Sequence, residues 1–218
     1  LNGPQATPPF VNVGEMLNRG IDLQILTRGK IASADYELTV NGGFLHNEIV
    51  ALNEGATYLQ TSDAAPDFRG IRPIRNQLGQ SISSFFGYKV MGLFQSTEEV
   101  NAAPTQDGAA PGRFRYEDVD GDGEITTDDR TWLGSPVPKF TGGITFKLKN
   151  IKGFDLEMYM FTSLGNEIFN MSRWYTDFYP SFTGAAIAER VKGSWTPENG
   201  GNSLPIFENN SNFSTNTQ

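Results

Sequence analysis

From Arg19 onward the chain alternates apolar and polar residues with a period of two, as a strand with two chemically different faces does. Ile21, Leu23 and Ile25 fall on one face, Asp22 and Gln24 on the other. After the short turn RGKIAS, the run ADYELTVNGGF sets Tyr36, Leu38, Val40 and Phe44 against Asp35, Glu37, Thr39 and Asn41, and the two runs predict a hairpin. A second hairpin follows far downstream. Between Pro138 and Lys149, Phe140, Ile144, Phe146 and Leu148 alternate with Thr141, Thr145, Lys147 and Lys149. Past the turn NIKG, Phe154, Leu156, Met158 and Met160 alternate with Asp155, Glu157 and Tyr159. Each run reaches about ten residues, enough to cross a bilayer core at a tilt, where a strand of a soluble sandwich is usually about five or six.

The short turns, around Gly29 and around Lys152, fall at the same end of their hairpins, so the long connections share the other end. Short turns on one side and long loops on the other are the pattern of an outer-membrane barrel. The expected division is barrel strands over 1–46, a long outer excursion over 47–137, a barrel hairpin over 138–163 and a second outer region over 164–218. An excursion as long as the first must carry its own small fold. Within it, Ile82 to Tyr88 and Val90 to Phe94 read as short strands, and Ser96 with Glu99 forms an SxxE cap for a short helix through Val100, closed by Pro104. In the second, Thr183 can cap AAIAERVK as a helix. Ahead of the first strand, VNVGEM offers a short edge segment, and the Asn/Ser-rich end ENNSNFSTNTQ reads as mobile.

One stretch of the first excursion dictates a chemistry. Asp118 to Asp129 reads DVDGDGEITTDD, with carboxylates at positions 1, 3 and 5 (Asp118, Asp120, Asp122) and 12 (Asp129) of a twelve-residue calcium loop. Gly123 stands at position 6, where the chain turns sharply. Glu124, at position 7, would ligate through its main-chain carbonyl, and Ile125 is the apolar anchor behind the loop. A hard divalent cation takes six to eight oxygens, and alternate acids on a curved loop converge on one point. Seven acids lie between Glu117 and Asp129, and in the absence of a cation they repel one another. The flanks are not the long helix pair of a calcium sensor: APGRFRYE upstream is extended, with Phe114 and Tyr116 alternating, and TTDDRTWLG downstream allows one helical turn capped by Thr126 and stopped by Gly134. The ion is therefore expected to staple a loop rather than to work a switch.

Composition narrows the class. The net charge of −8 offers no basic patch to displace the counterions of a nucleic acid. With 16 Phe and 24 Gly against no Cys, the chain favours β structure with many turns, held by something other than disulfides. No apolar run is long enough for a membrane helix, a test to which barrel strands are invisible. The absence of a signal segment and Leu1 at the start suggest a piece of something longer.

Several segments, VNVGEMLNRGIDLQI, FFGYKVMGLFQSTEEV, KGFDLEMYM, SWTPENGG and above all the run from Pro111 to Phe146, together resemble the C-terminal part of the barrel domain of SusC/RagA-type TonB-dependent outer-membrane transporters. The resemblance implies an all-β fold, an antiparallel segment of a 22-stranded transmembrane barrel in the outer membrane of a Gram-negative cell, with long extracellular loops carrying short helices and the calcium loop. It implies import of glycans or oligopeptides, a lid lipoprotein of the SusD type at the outer loops, and energy delivered by the TonB system through an N-terminal part. Plug, TonB box and remaining strands would lie outside these residues, so the chain reads as a fragment that does not transport alone.

No nucleophile and base with a stated partner emerge, so an enzyme is not expected. Beyond Ca²⁺ at Asp118, Asp120, Asp122, Glu124 and Asp129, the candidate ligand-binding side chains are Trp174, Tyr175 and Tyr179, which with Phe178 make an aromatic group able to stack on sugar rings or to line a membrane interface. The single histidine, His46, reads as a surface residue at a strand end, and Trp132 and Trp195 as packing for their loops. The alternative is a soluble extracellular calcium-binding β module of carbohydrate-binding or adhesin type. Such a module needs a dry core on one strand face, where a barrel wall needs lipid on one face and a wet lumen on the other.

Overall fold

The computed structural model describes residues 14–53, 55–60, 72–170, 172 and 192–208. In chain order the elements are β1 (Gly14–Ile31), β2 (Ala34–Leu52), β3 (Tyr58–Gln60), β4 (Ile74–Gln77), β5 (Ser84–Tyr88), β6 (Val90–Leu93), α1 (Thr97–Ala102), β7 (Phe114–Tyr116), a 3₁₀ turn (Thr127–Asp129), β8 (Arg130–Gly134), β9 (Phe140–Ile151) and β10 (Phe154–Leu164). The chain forms two compact units. One comprises Leu1–Thr61, Arg75–Ser84 and Ser135–Glu167; the other comprises Ser62–Ile74, Phe85–Gly134 and Ile168–Gln218.

The first unit is a wall of four antiparallel strands in the order β1-β2-β9-β10. Its register carries one side-chain parity across every strand: Ile25 faces Val40, Val40 faces Ile144, and Ile144 faces Met160. The rows beside it repeat the pattern, with Thr27, Leu38, Phe146 and Met158 on one side and Ile21, Phe44, Phe140 and Leu164 two rows to the other. Because residues directly opposite point to the same face, these rows fuse into one apolar surface. It is uncovered: Ile21 is 73% exposed and Phe44 and Leu23 are each 63% exposed. Removing a side chain of this size from water gains about 1.5–3 kcal/mol, so the surface as a whole requires a cover.

The opposite parity is polar. Opposed rows bring together Arg28, Glu37, Lys147 and Glu157, charges alternating in sign across the four strands. Arg28 Nε donates to Glu37 at 2.8 Å and Lys147 Nζ lies 3.0 Å from Glu157. Both hairpin turns close at this charged end, since Asp35, next to the first turn, pairs with Lys149, next to the second. The Asn150 side-chain amide donates to Asp35 at 3.2 Å and ties the two ends together. Mid-wall, Gly42 faces Gly142. A Cβ there would lie 3.1 and 2.8 Å from the Phe140 ring, which covers the bare backbone and packs 4.9 Å from Phe44, centroid to centroid.

The first hairpin is longer than the alternation indicates. The edge segment expected at VNVGEM is, from Gly14, the start of β1, and the strands pair from Gly14↔Leu52 to Ile31↔Ala34 around a two-residue turn at Ala32 and Ser33. Its open end is strapped by 79–82. Asn47 accepts from Ser81 Oγ at 2.7 Å and from the Ile82 amide at 2.8 Å while donating to Asn18 at 2.6 Å. Ile49, only 6% exposed, exchanges backbone bonds with Gln80 and Gly79. β3 pairs with β4, and the Arg75 guanidinium lies 4.4 Å over the Tyr58 ring. His46 sits on this exposed rim, its Nε2 3.0 Å from Glu48.

The second unit has its own core, formed by Tyr88, Leu93, Phe114, Tyr116, Ile125 and Trp195 with Ile206 packed against it. Phe94 is fully buried. β6 pairs with β7, and the buried Gln106 side chain donates to the Phe114 carbonyl at 2.7 Å and accepts from the Tyr116 amide at 3.0 Å, adding a strand-like contact along β7. The Trp195 indole donates to Gln95 at 2.9 Å, and Arg113 grips Glu208 with two bonds of 3.0 and 2.9 Å. Ser96 caps α1 by accepting from the Glu99 amide at 3.3 Å. The helical turn expected after the acidic loop stops at Asp129, and the following RTWLG is the strand β8. Its pairing with β5 sets Trp132 opposite Phe86, rings 4.9 Å apart and inclined at 63° in an edge-to-face contact. The candidate aromatic residues Trp174, Tyr175, Phe178 and Tyr179, the helix capped by Thr183, residues 11–13 and the chain end from 209 lie outside the described residues.

Phe94→Ala leaves a buried cavity and is expected to destabilise the second unit by about 3–5 kcal/mol. Limited proteolysis of the intact protein read by mass spectrometry should show faster cleavage within 85–134 and an unchanged rate within β9 and β10.

Candidate metal centre

The acidic loop is shaped by its own carboxylates. Asp118 accepts from the Gly121 amide at 2.6 Å and the Gly123 amide at 3.0 Å, which draws position 6 back over position 1. Gly121 and Gly123 hold φ of +76° and +88°, values that a side chain resists. Asp120 accepts from the Asp122 amide at 3.1 Å and Asp122 from the Glu124 amide at 2.8 Å. Behind the loop, Ile125 is buried in the second unit's core. The Thr105 amide donates to Gly123 at 2.8 Å and its carbonyl accepts from Ile125 at 2.7 Å. Nothing in the sequence motif marks Thr105 as this strut.

Asp129 closes the loop. Its side chain is fully buried, one oxygen accepting from the Val119 amide and the other from the Thr126 amide, both at 2.7 Å. Thr126 in turn accepts from Asp128 at 3.2 Å and caps the 3₁₀ turn. Position 12 is thereby fastened to positions 2 and 9. One oxygen from each of Asp118, Asp120 and Asp129 lies within 4.8 Å of the others, a spacing at which a single divalent ion could be shared. Asp122 stands outside this group, its carboxylate turned to the Glu124 amide. Of the four carboxylates at ligand positions in the sequence, three converge.

The electrostatics suit a cation. Asp120 sits above the ordinary carboxylate range. The Asp122 amide pulls it down, but burial and the charges of Asp122, Asp129 and Asp118 more than offset that pull. Burial alone would raise Asp129 as well, yet the amides of Thr126, Val119 and Asp120 outweigh it and hold Asp129 below that range. The signs differ in consequence. The depressed group contributes stability that is present above its unfolded pKa and lost as pH falls through its lower folded value. The raised group subtracts stability as pH climbs past the ordinary range, a cost that a cation relieves. Hard-oxygen donors on a preformed curve fit Ca²⁺, with Asp118, Asp120 and Asp129 as the carboxylates that would hold it.

Adding Ca²⁺ to the intact, chelator-treated protein should therefore raise hydrogen-exchange protection across 110–135 at neutral pH, and the gain should shrink as pH falls into the carboxylate range. Asp118→Asn should abolish most of that gain while Asp122→Asn spares more of it, with β9 and β10 protected throughout. Equal protection with and without Ca²⁺ would exclude the staple.

No family model matches the chain. Two curated proteins of Formosa agariphila do: TonB-dependent receptor P3, 31% identical over 200 residues, and TonB-dependent receptor P26, 30% identical over 195 residues, each match covering 89% of this chain. The chain spans 19% of the length of each of these relatives. Among solved structures it resembles the RagAB peptide transporter with a TM-score of 0.64 at 20% identity, over 92% of this chain and 21% of that one. It also resembles the RagAB importer in its closed-closed state, at 0.62 and 19% identity, over 93% and 21%. Sequence over nearly the whole chain and fold over more than nine-tenths of it agree: the chain is a segment of a TonB-dependent receptor of the Gram-negative outer membrane and has the fold of part of the RagAB complex.

Proposed function

We propose that this segment contributes four strands to the wall of a 22-stranded barrel that imports oligopeptides or glycans. The single observation that carries the reading is the shared parity of β1, β2, β9 and β10, which makes one continuous apolar face and one continuous polar face. Lipid is the cover that the first face requires, and a wet lumen suits the second. The two shorter strands, β9 with 12 residues and β10 with 11, match what a tilted crossing needs. A soluble β module would keep one of these faces dry, whereas the large apolar residues of this wall stand open.

The excursion leaves at Leu52 and rejoins at Phe140, both away from the tight turns. On the barrel pattern that edge is extracellular, so the acidic loop, with Asp118, Asp120 and Asp129 around Ca²⁺, is an outer-loop staple. It keeps a long loop in one shape where a substrate and a SusD-like lipoprotein lid would meet it. The solved neighbours, which are peptide transporters, favour peptide as cargo. Energy would arrive from TonB through a part of the receptor beyond these residues, and the segment itself performs no catalysis.

Charge on the apolar face should be costly and charge on the polar face tolerated. Ile144→Arg is expected to lose about 2–4 kcal/mol if it lies near the bilayer midplane, whereas the neighbouring Thr145→Arg should fold and insert almost normally. The yield of heat-modifiable folded receptor in outer membranes checks this, and equal yields for the two variants would contradict the assignment of faces.

A further inference from the structure

The polar face pairs most of its charges near the tight turns, whereas further up, among the described residues, the Asp22 carboxylate has no ion-pair partner. Arg28 meets Glu37, Lys147 meets Glu157, and Lys30 lies 3.8 Å from Asp35. Six residues along β1 from Arg28 stands Asp22, an exposed carboxylate with no cation in ion-pair range among the described residues. Its cross-strand neighbour is Gly43, and the next row sets Gln24 opposite Asn41 and Asn41 opposite Gly143. A Cβ at Gly43 would lie 2.5 Å from Asp22 Oδ1, and one at Gly143 would lie 2.8 Å from Asn41 Oδ1. The two acceptor oxygens therefore lie down on the strands, in room that only glycine leaves. An open hollow of about 400 Å³ remains, with Asp22, Gln24, Asn41 and Thr141 on its polar side and Tyr159 and Phe161 from β10 beside them.

A free carboxylate, an amide oxygen and two aromatic side chains around one hollow call for an organic cation with several donors. Carboxylate and guanidinium form the strong, charge-assisted kind of hydrogen bond, and a planar cation also stacks on aromatic rings. We propose that this hollow binds a guanidinium group, an inference that rests on the polar face being the barrel's lumen. The group can come from an arginine of a cargo peptide or from an arginine elsewhere in the same receptor that reaches into the lumen. Both sources present the same chemistry to Asp22. The loss of the paired charges lower on the wall would not reproduce the effect of losing Asp22.

The test uses the intact receptor in detergent micelles, with acetylated, amidated tri-arginine and its tri-citrulline counterpart as probes. Asp22→Asn should weaken tri-arginine binding about tenfold, leave tri-citrulline unchanged, and contrast with Glu37→Gln, which should behave as wild type. If the receptor's own arginine already fills the hollow, wild type binds neither probe, Asp22→Asn increases hydrogen exchange in the segment carrying that arginine, and Glu37→Gln does not. Equal tri-arginine affinity in wild type and Asp22→Asn, or no binding and no exchange difference, overturns the proposal. A Thr145→Cys variant distinguishes that outcome from a failed barrel reading: reaction with a charged, water-soluble thiol reagent in membranes keeps the lumen assignment, and protection from it removes both.

Discussion

The first unit depends on register. Pairing Ile25 with Val40, Val40 with Ile144 and Ile144 with Met160 keeps one side-chain parity across four strands. A slip of one residue in any pair would turn that strand's apolar set into the polar face and its charges into the apolar one. Several contacts resist the slip. The Arg28–Glu37 and Lys147–Glu157 pairs find opposite charge in this alignment and lose it on a slip of one residue, and Asn150 reaches Asp35 with the two turns level. Phe140 covers the bare backbone at Gly42 and Gly142 in the same frame. Exposed ion pairs of this kind are each worth at most about 1 kcal/mol, so their role here is to choose among alignments more than to stabilise the wall, while removing the apolar surface from water would supply the larger driving force.

The second unit solves a different problem, namely how a long excursion without disulfides holds a shape. Its core is small and aromatic, and the acidic loop is anchored to it by Ile125 and closed on itself by Asp129, folded back onto Val119 and Thr126. That arrangement sets carboxylates against one another on the solvent side. A cation at Asp118, Asp120 and Asp129 would convert the repulsion into a cross-link, so ion binding and loop order are expected to be one event.

The sequence was legible where the physics is local. Alternation along β2, β9 and β10 reports which face each residue takes, because a strand's period is intrinsic to its backbone. The spacing of the acidic loop likewise announces Asp118, Asp120 and Asp129, since ligand geometry fixes it. Strand ends were less readable: around Asn18, Arg19, His46 and Asn47 both faces are polar and the alternation fades, although the pairing runs on to Gly14 and Leu52. Likewise Thr126 and Asp129 do cap a helical turn, but the β-branched and aromatic RTWLG beyond it prefers the strand whose partner, Phe86, lies far upstream. Least readable were contacts between distant residues, such as Trp195 with Gln95 and Arg113 with Glu208, which no local pattern encodes. Asp122 shows the converse limit, for a position that fits the ligand spacing turns its carboxylate to the Glu124 amide instead.

The claim on which the rest stands is that even-numbered residues of β2 and β9 face lipid and odd-numbered ones face water. Spin labels placed singly from residue 36 to 41 and from 144 to 149 in the intact receptor, reconstituted in bilayers, measure this directly through their collision rates with oxygen and with a water-soluble nickel chelate. The account predicts that oxygen collisions peak at even positions and nickel collisions at odd ones, in antiphase along both strands. Rates that do not alternate, or that alternate with the opposite phase, would contradict it.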